Sequence, residues 1–194
     1  GCAMRNIYDS VQAFQKLLQT EYRFVLGRKG RQTVFALRFD KAHCFHLMGL
    51  HYLKDVPALN KKRSMVFDDL AAGKIAHELV ERSIYYDQVA ERIHYMPLLE
   101  ALLDSNDTIF KYNERVQKNS KIRAKFLLKN HMEGRNLFLF IDRDCAEKYF
   151  CRSFFPESTR DFTERQPRFT LLQKTKIDLA TMEEVVLFNR MRCE

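Results

Sequence analysis

From about Asp107 onward the apolar residues of this chain recur at every second position, and that alternation constrains the fold more than any other feature of the sequence. A period of two belongs to strands with one face packed and one face solvated. "TIFKYN", "KIRAKFLLKN", "NLFLFID", "KYFCRSFF" and "RFTLLQKTKID" read as strands, with "HMEGR" turning the second into the third. The spacing predicts one mainly antiparallel sheet of about four to five strands over residues 107–177, followed by a weak helix over 181–191 in "MEEVVLFNRM".

The first hundred residues carry a different pattern. Ile7, Val11, Phe14 and Leu18 recur at helical spacing and predict a helix over about 5–20. In "EYRFVLGRKGRQTVFALRF" the alternation returns on either side of "GRKG", which predicts a hairpin over 22–39. Asp40 is placed to cap a helix from Lys41 to about Lys54, ended by Pro57. The stretch 64–104 reads as two or three helices broken near Gly73 and Ser83 and kinked at Pro97. With no repeat, low-complexity segment or linker, the 194 residues are expected to form one α+β domain: N-terminal helix and hairpin, helical middle, C-terminal sheet.

Composition narrows the function classes. The longest uninterrupted apolar run, "LFLFI" at 137–141, is far too short to span a bilayer as a helix, so no membrane role is expected. "GCAMRN" has neither an apolar h-region nor a cleavage site; the expectation is a chain that stays in the cytoplasm, with Gly1 a cloning remnant. Cys2, Cys44, Cys145, Cys151 and Cys193 are odd in number and lack a CxxC pair, so they read as reduced thiols. The net charge of +8 concentrates between Lys111 and Arg135 and in "NKKRS" at 60–64, a distribution that attracts polyanions, nucleic acid first, or simply solvates a face.

"HCFHLMGLHYLKDV" at 43–56 holds three of the six histidines in an otherwise apolar stretch. As a continuous helix it is apolar nearly all round, so a histidine on it must be neutral, partnered, or at the wall of a cleft. On that wheel His46 and His51 lie about 140° apart, too wide for both to ligate one metal. No metal and no cofactor is expected.

The passage 24–56, a hairpin running into an HLxGLHxL helix, resembles the opening of a phage- and plasmid-associated domain family. The later order of "GKIAHELVERSIYY", "KFLLK", "RSFFPE" and "FTERQ" is similar to it too, over about residues 10–175. The chain thus looks like the phage-borne branch of the barnase, EndoU, colicin and RelE nuclease superfamily, the BECR fold. That resemblance implies N-terminal helices before an antiparallel sheet of about four strands, a toxin-like activity on RNA or single-stranded nucleic acid, and an immunity or antitoxin protein as partner.

Metal-independent RNA cleavage needs a base for the 2′-hydroxyl, an acid for the leaving oxygen, and cations for the charge that builds on phosphorus. By its match to the HLxGLHxL segment His46 is the first candidate for acid or base, and His51 the second. In "KYFCRSFF" the resemblance favours Ser153 and phosphate chemistry favours Arg152; strict alternation points the two to opposite faces unless a bulge intervenes. Arg123, Lys125 and Lys129 share one face of an ideal strand and read either as a phosphate track or as a solvated face, and Gln166 either orients substrate or caps a turn. Tyr112, Phe138 and Phe140 read as core before base-stacking platforms. An active enzyme of this kind requires His46, a basic residue and Ser153 or Gln166 to converge on one cleft. The alternatives are a catalytically inactive module that binds nucleic acid or protein, and a structural phage or plasmid protein docking through its basic face.

Overall fold

The computed structural model describes residues 4–105 and 108–191. Cys2 and Cys193 lie outside them, as does Gly1. The first helix, α1 (Ile7–Leu17), starts at Asn6, whose side chain accepts from the Asp9 amide while Asp9 returns the bond, a capping box. Its apolar stripe buries Ile7, Val11, Phe14 and Leu17. The hairpin follows as β1 (Thr20–Arg28) and β2 (Arg31–Leu37), with Arg28 opposite Arg31. Lys29 and Gly30 both have positive φ, the geometry of a two-residue turn whose twist matches the strands.

The middle of the chain is more finely broken than its periodicity predicts. Helix α2 (Lys41–Leu47) gives way to a 3₁₀ turn at Leu50–Tyr52, and α3 (Arg63–Ala71), α4 (His77–Glu81), α5 (Ala90–Tyr95) and α6 (Leu99–Ser105) follow. Pro97 sits in the 3₁₀ turn joining α5 to α6, and Gly73 and Ser83 lie in the gaps flanking α4. Asp40 stands at the N-cap of α2, but its side chain makes no capping bond.

The remaining strands are β3 (Ile109–Lys111), β4 (Phe126–Met132), β5 (Arg135–Arg143), β6 (Tyr149–Pro156), β7 (Arg168–Asp178) and β8 (Glu184–Asn189). All eight belong to one sheet, ordered β1-β2-β6-β5-β4-β3-β7-β8, rather than the four to five expected. The hairpin supplies two of the extra strands, because β1 also pairs antiparallel with β7 over Thr20–Gly27 and curls the sheet into a closed barrel. The closing seam is thin: β2 meets β6 in parallel at Leu37 and Tyr149 alone. The expected C-terminal helix is a strand. Val185 and Val186 are β-branched and find the free edge of β7, which satisfies backbone groups that an isolated weak helix would leave to water.

One continuous core is shared by the helices and the inner sheet face, where Phe14, Tyr22, Phe24 and Phe154 are fully buried. A second cluster on the outer face gathers Tyr112, Leu127, Phe138 and Phe140 under Phe155 and Phe162. Tyr112, Phe138 and Phe140 are thus packing residues. Cys44 and Cys151 are buried, free, and pushed to high pKa by burial, whereas Cys145 is free and exposed. Among the described residues no helix is long and apolar enough to cross a membrane.

Candidate active site

Helix α2 ends two residues before Gly49, which takes the left-handed conformation at φ 73°. A Cβ at that position would stand 2.8 Å from Val89 Cγ1 and 3.3 Å from both Arg92 Cδ and a Tyr52 ring carbon. Glycine is needed twice over, for its φ and for the close approach of α5. The helix breaks there, and the 140° expected between His46 and His51 does not hold. Their rings stack face to face, centroids 4.5 Å apart and planes 5° from parallel. The in-plane lone pairs of parallel rings run side by side and do not converge on one ion. Among the described residues no group of three or more His, Cys, Asp or Glu is placed to hold a metal.

Strand β6 faces these rings, and its pairing with β5 slips by one residue: Phe140 lies opposite Ser153 and Ile141 opposite Cys151, leaving Arg152 as the extra residue of a bulge. The bulge resolves the conflict in the alternation, since Arg152 and Ser153 both line the same pocket. Asp142, nearly buried, fixes the arginine: Oδ2 accepts from Nε at 2.8 Å and stands 2.7 Å from Nη2. The guanidinium also lies over the Phe150 ring.

The pocket, of about 270 Å³, is lined by His46, His51, Arg92, Lys121, Arg123, Arg152 and Ser153, together with Tyr52 and Ile122. Four cations line it and no carboxylate does. Arg92 comes from α5, lies over the Phe155 ring at 5.0 Å, and has no ion-pair partner among the described residues. Burial pulls its pKa below the ordinary arginine value, a desolvation that a bound anion would offset. Burial, then His51 and the guanidinium groups of Arg63, Arg152 and Arg92, push the His46 pKa down to about 4. Burial together with Arg63 and Arg92 lowers that of His51, whose Nδ1 finds no hydrogen-bond partner. Both rings are therefore neutral near pH 7.

The other expected positions scatter. Strand β4 begins only at Phe126, so the residues before it do not alternate as an ideal strand and the single basic track of Arg123, Lys125 and Lys129 does not form. Arg123 joins the histidine pocket, Lys125 lines a separate basic pocket, and Lys129 pairs with Asp161 at 3.2 Å. Gln166 is buried away from the histidines: its Oε1 accepts from the Asn113 amide and its Nε2 donates to the Asn113 carbonyl, so it ties two loops together. His43 stacks on Phe150 outside the pocket. Arg92 and Lys121 were not singled out from the sequence. The signal within reach was Gly49, a helix stop that brings another element against the histidines.

A family model described as PBECR4, phage-Barnase-EndoU-ColicinE5/D-RelE like nuclease4, matches residues 6–190. The chain belongs to this family. The PBECR4 match spans the hairpin, α2, α5 and β6, and so takes in every residue lining the histidine pocket. Membership makes the chain a nuclease-like domain of the BECR superfamily, with nucleic acid as the substrate class that the family description indicates. No curated protein and no solved structure matches the chain.

Proposed function

We propose that this PBECR4 domain is an endoribonuclease of single-stranded RNA that works without a metal ion. The observation that carries this reading is the convergence of two neutral histidines, Arg152 and Ser153 on a pocket lined by four cations and no carboxylate. Arg92 and Arg152 receive the phosphodiester. Arg152, held by Asp142, presents a rigid fork to two phosphate oxygens as the 2′-oxygen attacks phosphorus and the 5′-oxygen leaves. His46 takes the 2′-hydroxyl proton. A phosphodiester beside both rings raises their pKa values, which lets His51 carry a proton to the leaving oxygen. Ser153 offers a hydroxyl donor to the same phosphate. An immunity or antitoxin protein that masks the pocket in the host follows from a toxin-like role of this kind.

The test is cleavage of a panel of unstructured RNAs with chelator present, each paired with a copy carrying a single 2′-deoxy nucleotide at the cleaved position. The proposal expects cutting of the first and none of the second. Binding without cutting would make the domain a silent module. The pH dependence of kcat/KM adds a check on the base. His46 must be neutral to accept a proton, so the rate falls as pH falls through its pKa in the free enzyme, with an inflection near 4 and well below 6.5. An inflection at 6.5, in protein shown folded by circular dichroism, would assign the base to a solvated group.

Asp142→Asn separates positioning from chemistry. The amide keeps the shape but loses the charge that fixes Arg152, and kcat/KM should fall about tenfold, as a loosened positioning residue does. Single-turnover rates that match the parent would show that Arg152 needs no brace.

A further inference from the structure

A concavity of about 570 Å³ opens at the barrel mouth, away from the histidines. Six cations line it: Arg28, Lys29 and Arg31 from the tip of the hairpin, Lys111 at the end of β3, Lys125 just before β4, and Arg143 at the end of β5. No acidic residue lines it, and none of the six enters an ion pair among the described residues. Other basic residues of this protein do find carboxylates, as Arg23 and Arg38 find Glu21 and Lys176 finds Asp104. Five of the six are solvent-exposed and their repulsion is screened by water and salt, but together they hold a positive potential over the hollow that an anion would neutralise. The floor is aromatic, formed by Phe126, Tyr149 and Phe169, with Tyr149 tilted against Phe35 and Phe126.

We infer that this mouth is a second nucleic-acid site, which takes a nucleotide of single-stranded RNA beyond the cleaved bond. Phosphates meet the ring of cations and a base lies against the aromatic floor. The volume lies within the range of pockets that enclose a small organic ligand, roughly 300–1,000 Å³. An acidic protein surface would satisfy the charge, but it would leave the concavity and its aromatic floor without a role. The two sites are joined along the chain. Lys121, Ile122 and Arg123 line the histidine pocket and Lys125 and Phe126 the mouth, so Arg123 in one and Lys125 in the other are two residues apart, a span of at most about 7 Å. A strand crossing that interval spans both. The assignment rests on RNA being the substrate, and it predicts a preference for substrates several nucleotides long.

The experiment uses fluorescence anisotropy with a labelled 12-nucleotide oligouridine RNA, in the His46→Ala background so that the probe survives. Replacing Arg28, Arg31 and Lys111 together by Gln should weaken binding about tenfold or more near 0.1 M salt. It should also flatten the slope of log K against log salt by about 2, roughly 0.7 for each phosphate that is no longer neutralised. All three residues lie at strand ends, and an unchanged melting temperature confirms the fold. Affinity and salt slope equal to the parent's would overturn the mouth site even if RNA is cut. Loss of affinity in the variant would uphold it even if the protein cuts nothing. If polyglutamate binds through these residues and the RNA does not, the mouth is a protein-docking surface and the inference falls.

Discussion

RNA cleavage by the His46→Ala protein is expected to be about 10²- to 10⁴-fold slower than by the parent, the range of a single general acid or base. The expectation follows from the place of this ring. It is on the last turn of α2, stacked on His51, facing Arg152 and Ser153 across the pocket, and neutral at pH 7 because burial and three guanidinium groups disfavour its charge. The ring is only partly buried, so its loss opens the pocket rather than leaving a sealed cavity, and about 1 kcal/mol of stability, or ~2–4 °C in Tm, is the expected cost. His46→Asn should be as inactive, since an amide does not accept the proton. Cleavage by the folded alanine variant at the parent rate would remove His46 from the mechanism and pass the role to His51.

Gly49→Ala should be the most damaging glycine substitution among the described residues. At φ 73° an L-residue costs about 1–2 kcal/mol. The added methyl would meet Val89 Cγ1 at 2.8 Å, and overpacking of this sort adds about 1–3 kcal/mol. Together they give about 2–5 kcal/mol, or a fall in Tm of ~4–20 °C for a chain of this length. Gly30 and Gly134 have nearly the same φ and nothing within 4 Å of a Cβ. Alanine at either should therefore show the backbone cost alone, about 1–2 kcal/mol. Thermal melts of the three variants separate the two contributions. Equal losses at all three positions would show that α5 yields freely and that Gly49 does not set the position of Arg92.

The candidate site was legible in part. "HCFHLMGLHYL" marks His46 and His51 because histidine is costly on an apolar helix unless something uses it. What a helical wheel does not contain is the left-handed break at Gly49, and so the sequence separates two rings that in fact stack. In "KYFCRSFF" strict alternation sends Arg152 and Ser153 apart, and the β5–β6 bulge brings them to one pocket. A bulge is a property of two strands in register, and neither strand encodes it alone. Arg92 is one arginine among many until α5 docks beside Gly49 and leaves it without a carboxylate.

The sequence by itself determined the elements whose cause is local. Capped α1 follows from Asn6 and Asp9, the hairpin turn from Lys29 and Gly30, and the strands from an alternation that each carries within about ten residues. The tertiary structure alone decided what depends on partners distant in the chain. It paired β1 with β7 across some 150 residues, turned a weak helix into β8 on an open edge, and divided Arg123, Lys125 and Lys129 among three surroundings. The reason is physical: side-chain period records which face of an element meets apolar neighbours, but carries no record of which neighbours those are.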